Sequence, residues 1–162
     1  MKICVFGTKK NTHDFIDYLS LQIPHEICLV TLEQSEEHFK NISGYDFDIA
    51  SFCRSKNIYV HEIKKYNLSD KIDLKFFQTE KFDLGLSMGW QRLIPSSILS
   101  TFRFGVFGWH GSLFKFPNGR GRSPLNWSIR LGANKIFLNL FKYAAGVDNG
   151  PVFSTTEIPI QC

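Results

Sequence analysis

KICVFGTKKN, residues 2–11, is the stretch on which the fold turns. Its short apolar run stops at Gly7 and gives way to a polar loop, the pattern of a strand buried in a parallel sheet. Outward from it, THDFIDYLSLQ (12–22) sets Phe15, Tyr18, Leu19 and Leu21 at roughly helical spacing behind an Asn11 or Thr12 cap. HEICLVTL (25–32) reads as a second strand, and residues 35–57 as a weak helix, a loop and a better helix carrying Ile49, Phe52 and Cys53. IYVHEI (58–63) is a third strand; SDKIDLKFFQTE (69–80) is a helix with Ser69 as cap and Ile72, Phe76 and Phe77 on one face. FDLGLSMGW (82–90) is a fourth strand, and Pro95 opens a helix over SSILSTF (96–102). FGVFGW (104–109) is a fifth. SPLNWSIRLG (123–132) predicts a helix with Ser123 at the N-cap, Pro124 at N1, Leu125 and Ile129 four apart, and Gly132 as the stop. KIFLNLFKY (135–143) and PVFSTTEIPI (151–160) close the chain as strands. About seven strands alternating with helices predict one three-layer α/β domain over residues 1–162 with a mostly parallel sheet, whose ligands lie beyond the carboxyl ends of strands. The loops after strands one, four and five are therefore the places to look for a site.

Composition agrees with a folded domain. At 162 residues, with 43% hydrophobic, 15% aromatic and 21% charged residues, the chain can bury a core, and disorder is excluded. A net charge of +4 is too small to imply nucleic acid without a concentrated patch. From Arg103 onward, however, Arg103, Lys115, Arg120, Arg122, Arg130, Lys135 and Lys142 face only Asp148 and Glu157, an excess that suits an anionic small molecule or a solvated basic face. Cys4, Cys28, Cys53 and Cys162 have neither paired nor metal-like spacing and read as buried or incidental thiols. No apolar run approaches the ~20 residues of a membrane span, so a reduced, cytoplasmic setting with no membrane partner and no metal is expected.

The loop after the first strand, FGTKKN, has one glycine where a dinucleotide fingerprint needs three, and GRGRSP lacks the spacing and lysine of a phosphate-cradling loop. Its glycines suit a sharp turn, and its arginines remain able to grip a carboxylate or phosphate. His13, His25, His38 and His61 lack an acidic or thiol partner at ligand spacing and read as surface histidines. His110 differs: it follows an expected strand end, between Gly108 and Gly111, which would let another molecule approach closely. Asp148, in AAGVDNG between two strands, is either a turn former or a functional carboxylate. Together the two can form an oriented acid/base pair. Ser112 lies close by without the context of an activated nucleophile, which suggests that the substrate brings its own.

FGWHGS, GRGRSPLNWSIRLG and GVDNG, in that order and separation, resemble the folate-dependent formyltransferases, whose motifs run roughly N-x-H-x-S, R-G-x-x-P-x-x-W-x-I-x-x-G and D-x-G. The similarity is clear over about residues 80 to 160 and implies a Rossmann-like domain and N10-formyltetrahydrofolate as formyl donor to an amine. It carries the family's histidine onto His110 and its aspartate onto Asp148. The family's asparagine falls on Gly108, a departure, and two extra residues separate Ser112 from GRGRSP. Asn118 is the group expected to supply the missing contact. For the folate, the resemblance points to Met88, Gly89, Trp90, Gln91, Arg92, Leu93 and Ile94 after strand four, and to Ala144, Ala145, Gly146 and Val147 before the aspartate.

The acceptor is read by elimination within that resemblance. FGTKKN lacks the Gly/Ser-rich phosphate loop of purine-pathway members, and the chain stops before the second domain of initiator-tRNA members. What is left is an amino group on a nucleotide-linked sugar, its phosphates held by Lys9, Lys10, Arg120 or Arg122 beside Ser112. A minimal or truncated chain, a homodimer, a folate- or nucleotide-binding module without catalysis, and a formyltetrahydrofolate hydrolase stay open as alternatives.

Overall fold

The structure is a computed structural model and describes residues 1–22, 26–46 and 48–160; His25 and Cys162, named above, lie outside them. It contains the seven expected strands in the order β3-β2-β1-β4-β5-β6-β7. The chain divides into two compact units, Met1–Val106 and Phe107–Cys162.

In the first unit, β1 (Lys2–Phe6), β2 (Glu26–Leu32), β3 (Tyr59–Ile63) and β4 (Leu84–Ser87) pair in parallel as β3-β2-β1-β4. Helices α1 (Lys10–Gln22), α2 (Glu36–Asn41), α3 (Ile49–Ser55), α4 (Lys71–Glu80) and α5 (Ser96–Leu99) connect them. Strand alternation sends Ile3 and Val5 to one face, where Ile16 of α1 and Ile49 and Cys53 of α3 pack on them. Phe6 points to the other face, into an aromatic cluster with Phe77, Trp90 and Phe102 at centroid distances of 5.6 to 5.9 Å. Both faces of this sheet are covered, which is why its strands read as continuous apolar runs.

Helix boundaries differ from the expectation in instructive ways. Helix α1 begins at Lys10, and Thr12 lies inside it, buried, donating its hydroxyl to the Met88 carbonyl instead of capping. Tyr18 and Leu21 of its expected apolar face are exposed. Asp70, not Ser69, caps α4 by accepting from the Ile72 amide at 3.0 Å, and Ile72 itself is exposed. Two of the expected surface histidines are half-buried and paired: His13 meets Asp46 and His61 meets Asp73, each at 2.9 Å, and the His61 ring stacks on Phe76. The partners are 33 and 12 residues away in sequence, beyond the reach of any local spacing rule. His38 is half-buried, its Nδ1 2.9 Å from the Glu33 carbonyl. Cys4, Cys28 and Cys53 are buried and unbridged, as expected.

The second unit holds most of β5 (Gly105–Ser112), then α6 (Pro124–Arg130), β6 (Lys135–Lys142) and β7 (Val152–Pro159). Here the pairings are antiparallel, β5 on β6 and β6 on β7, so parallel pairing belongs to the first unit. Pro124 opens α6 as expected, yet Ser123 makes no capping bond and sits in the left-handed region at φ 59°. Leu125 and Ile129 are exposed, and Ser128 is the buried residue of that helix. Among the described residues, no helix is long and apolar enough to cross a membrane.

Candidate active site

Strand β5 runs three residues past its expected end, so His110 lies within the strand, opposite Asn139 of β6. The two glycines that suggest a strand end are there for close packing. A Cβ at Gly111 would come 3.0 Å from Ile136 Cδ1, and one at Gly108 would run into the Tyr143 hydroxyl, with the ring's Cζ at 2.6 Å. Gly108, His110 and Ser112 share one face by strand alternation. On that face the rings of His110, Phe116, Phe141 and Tyr143 follow one another at 5.6, 5.3 and 4.9 Å between centroids.

His110 and Asp148 come together as expected. Nδ1 of the histidine is 3.7 Å from Asp148 Oδ1, an ion-pair distance longer than a hydrogen bond, and both side chains are largely shielded, at 12% and 24% exposure. Nε2 lies 3.3 Å from the Gly119 carbonyl. Both ring nitrogens thus face acceptors. The other carboxylate oxygen, Asp148 Oδ2, accepts the Gly121 amide at 2.9 Å. Gly121 has φ 110°, a conformation that favours glycine, so the GRG turn is shaped to present that amide to the carboxylate. Asp148 is itself left-handed at φ 44°, which aspartate tolerates better than most residues. A hydrogen bond from Asn149 Nδ2 to the Ala145 carbonyl at 2.9 Å closes the loop that carries it.

Two expected site residues are placed otherwise. Ser112 is fully buried; its hydroxyl donates to the Phe114 carbonyl at 2.6 Å and accepts from Asn139 Nδ2 at 2.9 Å, so it is unavailable to a substrate. Asn118 is exposed, and its amide closes a turn onto the Lys115 carbonyl at 3.1 Å. Among the described residues it is the carbonyl of Gly119, not the Asn118 side chain, that hydrogen-bonds the His110 ring.

Asn139 was not legible as a site residue, although its mid-strand position in phase with Phe137 and Phe141 was a signal. It is fully buried, and its Nδ2 donates to the His110 carbonyl at 3.2 Å, to Ser112 Oγ and to the Phe137 carbonyl, while Oδ1 accepts from Thr155 at 2.8 Å. From β6 it bonds both the backbone of His110 on β5 and Thr155 on β7.

The remaining expected residues divide by exposure. In the first unit, Trp90 and Ile94 are buried in the core, whereas Gln91, Arg92 and Leu93 are exposed. The Gln91 amide donates to the Tyr66 hydroxyl at 3.0 Å, and the Arg92 guanidinium lies over the Tyr66 ring at 5.1 Å. Met88 and Gly89 are half-buried. Burial holds the Lys9 ammonium below its usual range, and Lys10 pairs with Asp14 at 3.0 Å. In the second unit, Ala144, Ala145, Gly146 and Val147 are exposed. So are Arg120, over the Phe116 ring at 5.8 Å and 3.5 Å from Asn149 Oδ1, and Arg122. Among the described residues, no cluster of three histidine, cysteine or acidic side chains could hold a metal.

A family model described as formyl transferase matches residues 1–162. The methionyl-tRNA formyltransferase of Mycoplasma genitalium is 30% identical over 160 residues, covering 99% of this chain and 50% of that protein. The chain spans about half the length of the curated relatives it matches. Among solved structures, glycinamide ribonucleotide transformylase 1 from Geobacillus kaustophilus superposes with TM-score 0.75 at 18% identity, over 99% of this chain and 83% of that one. A Mycobacterium tuberculosis protein described as a candidate sugar N-formyltransferase gives 0.65 at 17%, over 99% and 55%. At these identities the likeness of structures is one of fold.

Proposed function

Because the chain belongs to the formyl transferase family over its residues 1–162, we propose that it acts as one catalytic domain moving a formyl group from N10-formyltetrahydrofolate to a primary amine. The observation that carries this reading is the half-buried His110–Asp148 pair, its carboxylate clamped by the Gly121 amide.

When bound, the folate supplies the formyl carbon on its N10. The acceptor nitrogen forms a bond to that carbon, the bond from the carbon to N10 breaks, and one proton passes from the amine to N10. While both bonds exist, negative charge collects on the formyl oxygen, and a preorganised donor there lowers the barrier. His110 Nε2 is that donor, exchanging its 3.3 Å contact with the Gly119 carbonyl for the substrate oxygen. Asp148 fixes the ring and balances the imidazolium charge. For the pteridine and its carboxylate tail, the exposed Gln91, Arg92 and Leu93 fit better than the buried Trp90 and Ile94.

The acceptor that the relatives support is the α-amine of methionyl-tRNA, since curated proteins similar to this chain are methionyl-tRNA formyltransferases. The nucleotide-linked amino sugar read from the sequence is the second acceptor; exposed Arg120 and Arg122 suit the phosphates of either. The test is formyl transfer from N10-formyltetrahydrofolate to methionyl-tRNA and to a panel of nucleotide-linked amino sugars, with water as control acceptor. Transfer to an amine, abolished in His110→Ala with folate binding retained, is expected. Hydrolysis alone, or binding without turnover, overturns the reading.

A further inference from the structure

We propose that the Tyr143 hydroxyl is the second oxyanion donor of this site, standing where a side chain at position 108 would begin. The inference deepens the formyl-transfer reading and rests on it. An oxygen that becomes negative between two breaking and forming bonds is best held by two donors, and His110 supplies one. Positions 108 and 110 point to the same face, about 6.6 Å apart along the strand, comparable with twice a hydrogen-bond length of about 2.9 Å. Two observations select Tyr143 for the second donor. Its hydroxyl occupies the place of a Gly108 Cβ, with Cε1 and Cζ each at 2.6 Å from it. Its ring joins that of His110 through Phe141 and Phe116 in one continuous row.

The phenol keeps its proton throughout: bonds are exchanged only at the formyl carbon, and Tyr143 donates a hydrogen bond to the oxygen while the charge is there. Gly108 is then the residue that makes room for the tyrosine, and the two positions form one exchangeable unit.

The test compares four proteins in single-turnover and steady-state formyl transfer, each checked by thermal unfolding. Tyr143→Phe keeps the ring and removes the hydroxyl; kcat is expected to fall about 10²–10³-fold with KM and Tm little changed. Tyr143→Ala is expected to lose as much. Gly108→Asn alone is expected to disturb the site, since its Cβ meets the Tyr143 ring. Gly108→Asn combined with Tyr143→Ala, which opens the space and supplies an amide donor, is expected to regain at least tenfold over Tyr143→Ala. Wild-type kcat in Tyr143→Phe, or no regain in the double variant, overturns the inference while leaving formyl transfer intact. A wild-type protein that transfers no formyl group overturns the reading beneath it instead.

Discussion

Replacing Asn139 by alanine should cost more stability than any other single polar deletion in the second unit. An amide nitrogen has two hydrogens, so the three acceptors around Nδ2 share two donations, and Oδ1 accepts a third bond from Thr155. At about 1 kcal/mol per net hydrogen bond, the loss is about 3 kcal/mol, and because the residue is fully buried no water replaces those bonds without entering the sheet. For a chain of this size, that shifts the thermal midpoint by about 6–12 °C. Urea unfolding of Asn139→Ala against wild type measures it directly, with the m-value checked for constancy. Thr155→Val removes one of the same bonds and should cost about a third as much; the double variant should cost less than the two singles together. A loss under about 0.5 kcal/mol in Asn139→Ala, or strict additivity with Thr155→Val, would refute the claim that this amide pins β5 to β7.

Asp148→Asn keeps the left-handed turn and the Gly121 hydrogen bond but removes the charge facing His110; formyl transfer should drop about 10²-fold or more in kcat with folding unchanged, read in the same transfer assay. Burial pushes the Cys53 thiol up to about 12 from an ordinary 9.0. Its folded value lies above its unfolded one, so the contribution is full below about pH 9 and fades as pH rises toward 12; urea midpoints taken at pH 8 and pH 10.5 should fall less in Cys53→Ala than in wild type. Mass-spectrometric alkylation of the native protein should spare Cys4, Cys28 and Cys53 until denaturant is added. Arg120→Ala should raise KM for a phosphate-bearing acceptor about tenfold at low salt with little change in kcat, and the difference should shrink as salt rises.

The fold was legible because its signals are local. ICVF and ICLVTL are buried on two faces and therefore lack alternation, and the helical connections leave few topologies open. The pairing of His110 with Asp148 was legible through motif order. What could not be read was anything carried by a distant partner. GWHGS looks like a strand end because glycines usually punctuate, yet Gly108 and Gly111 are glycines because Tyr143 and Ile136 crowd the strand from β6 and beyond. Asn118 was chosen by nearness in sequence, but the turn that contains it offers the Gly119 carbonyl to His110. Ser112 has the chemistry of a ligand and the burial of a core residue, and burial decides.

Strand β7 is exposed at every position, Phe153 at 77%, and it lies at the end of the strand order. Such a strand opens before the rest of a sheet, exchanging its amide hydrogens for deuterium while the parallel strands are still protected. Its detachment also strips the Thr155 bond from Oδ1 of Asn139, the amide whose Nδ2 holds the carbonyl of His110. Heat inactivation of this protein should therefore run ahead of its unfolding: the histidine loses its setting when the outermost strand peels, at a temperature where far-UV circular dichroism still reports an intact fold.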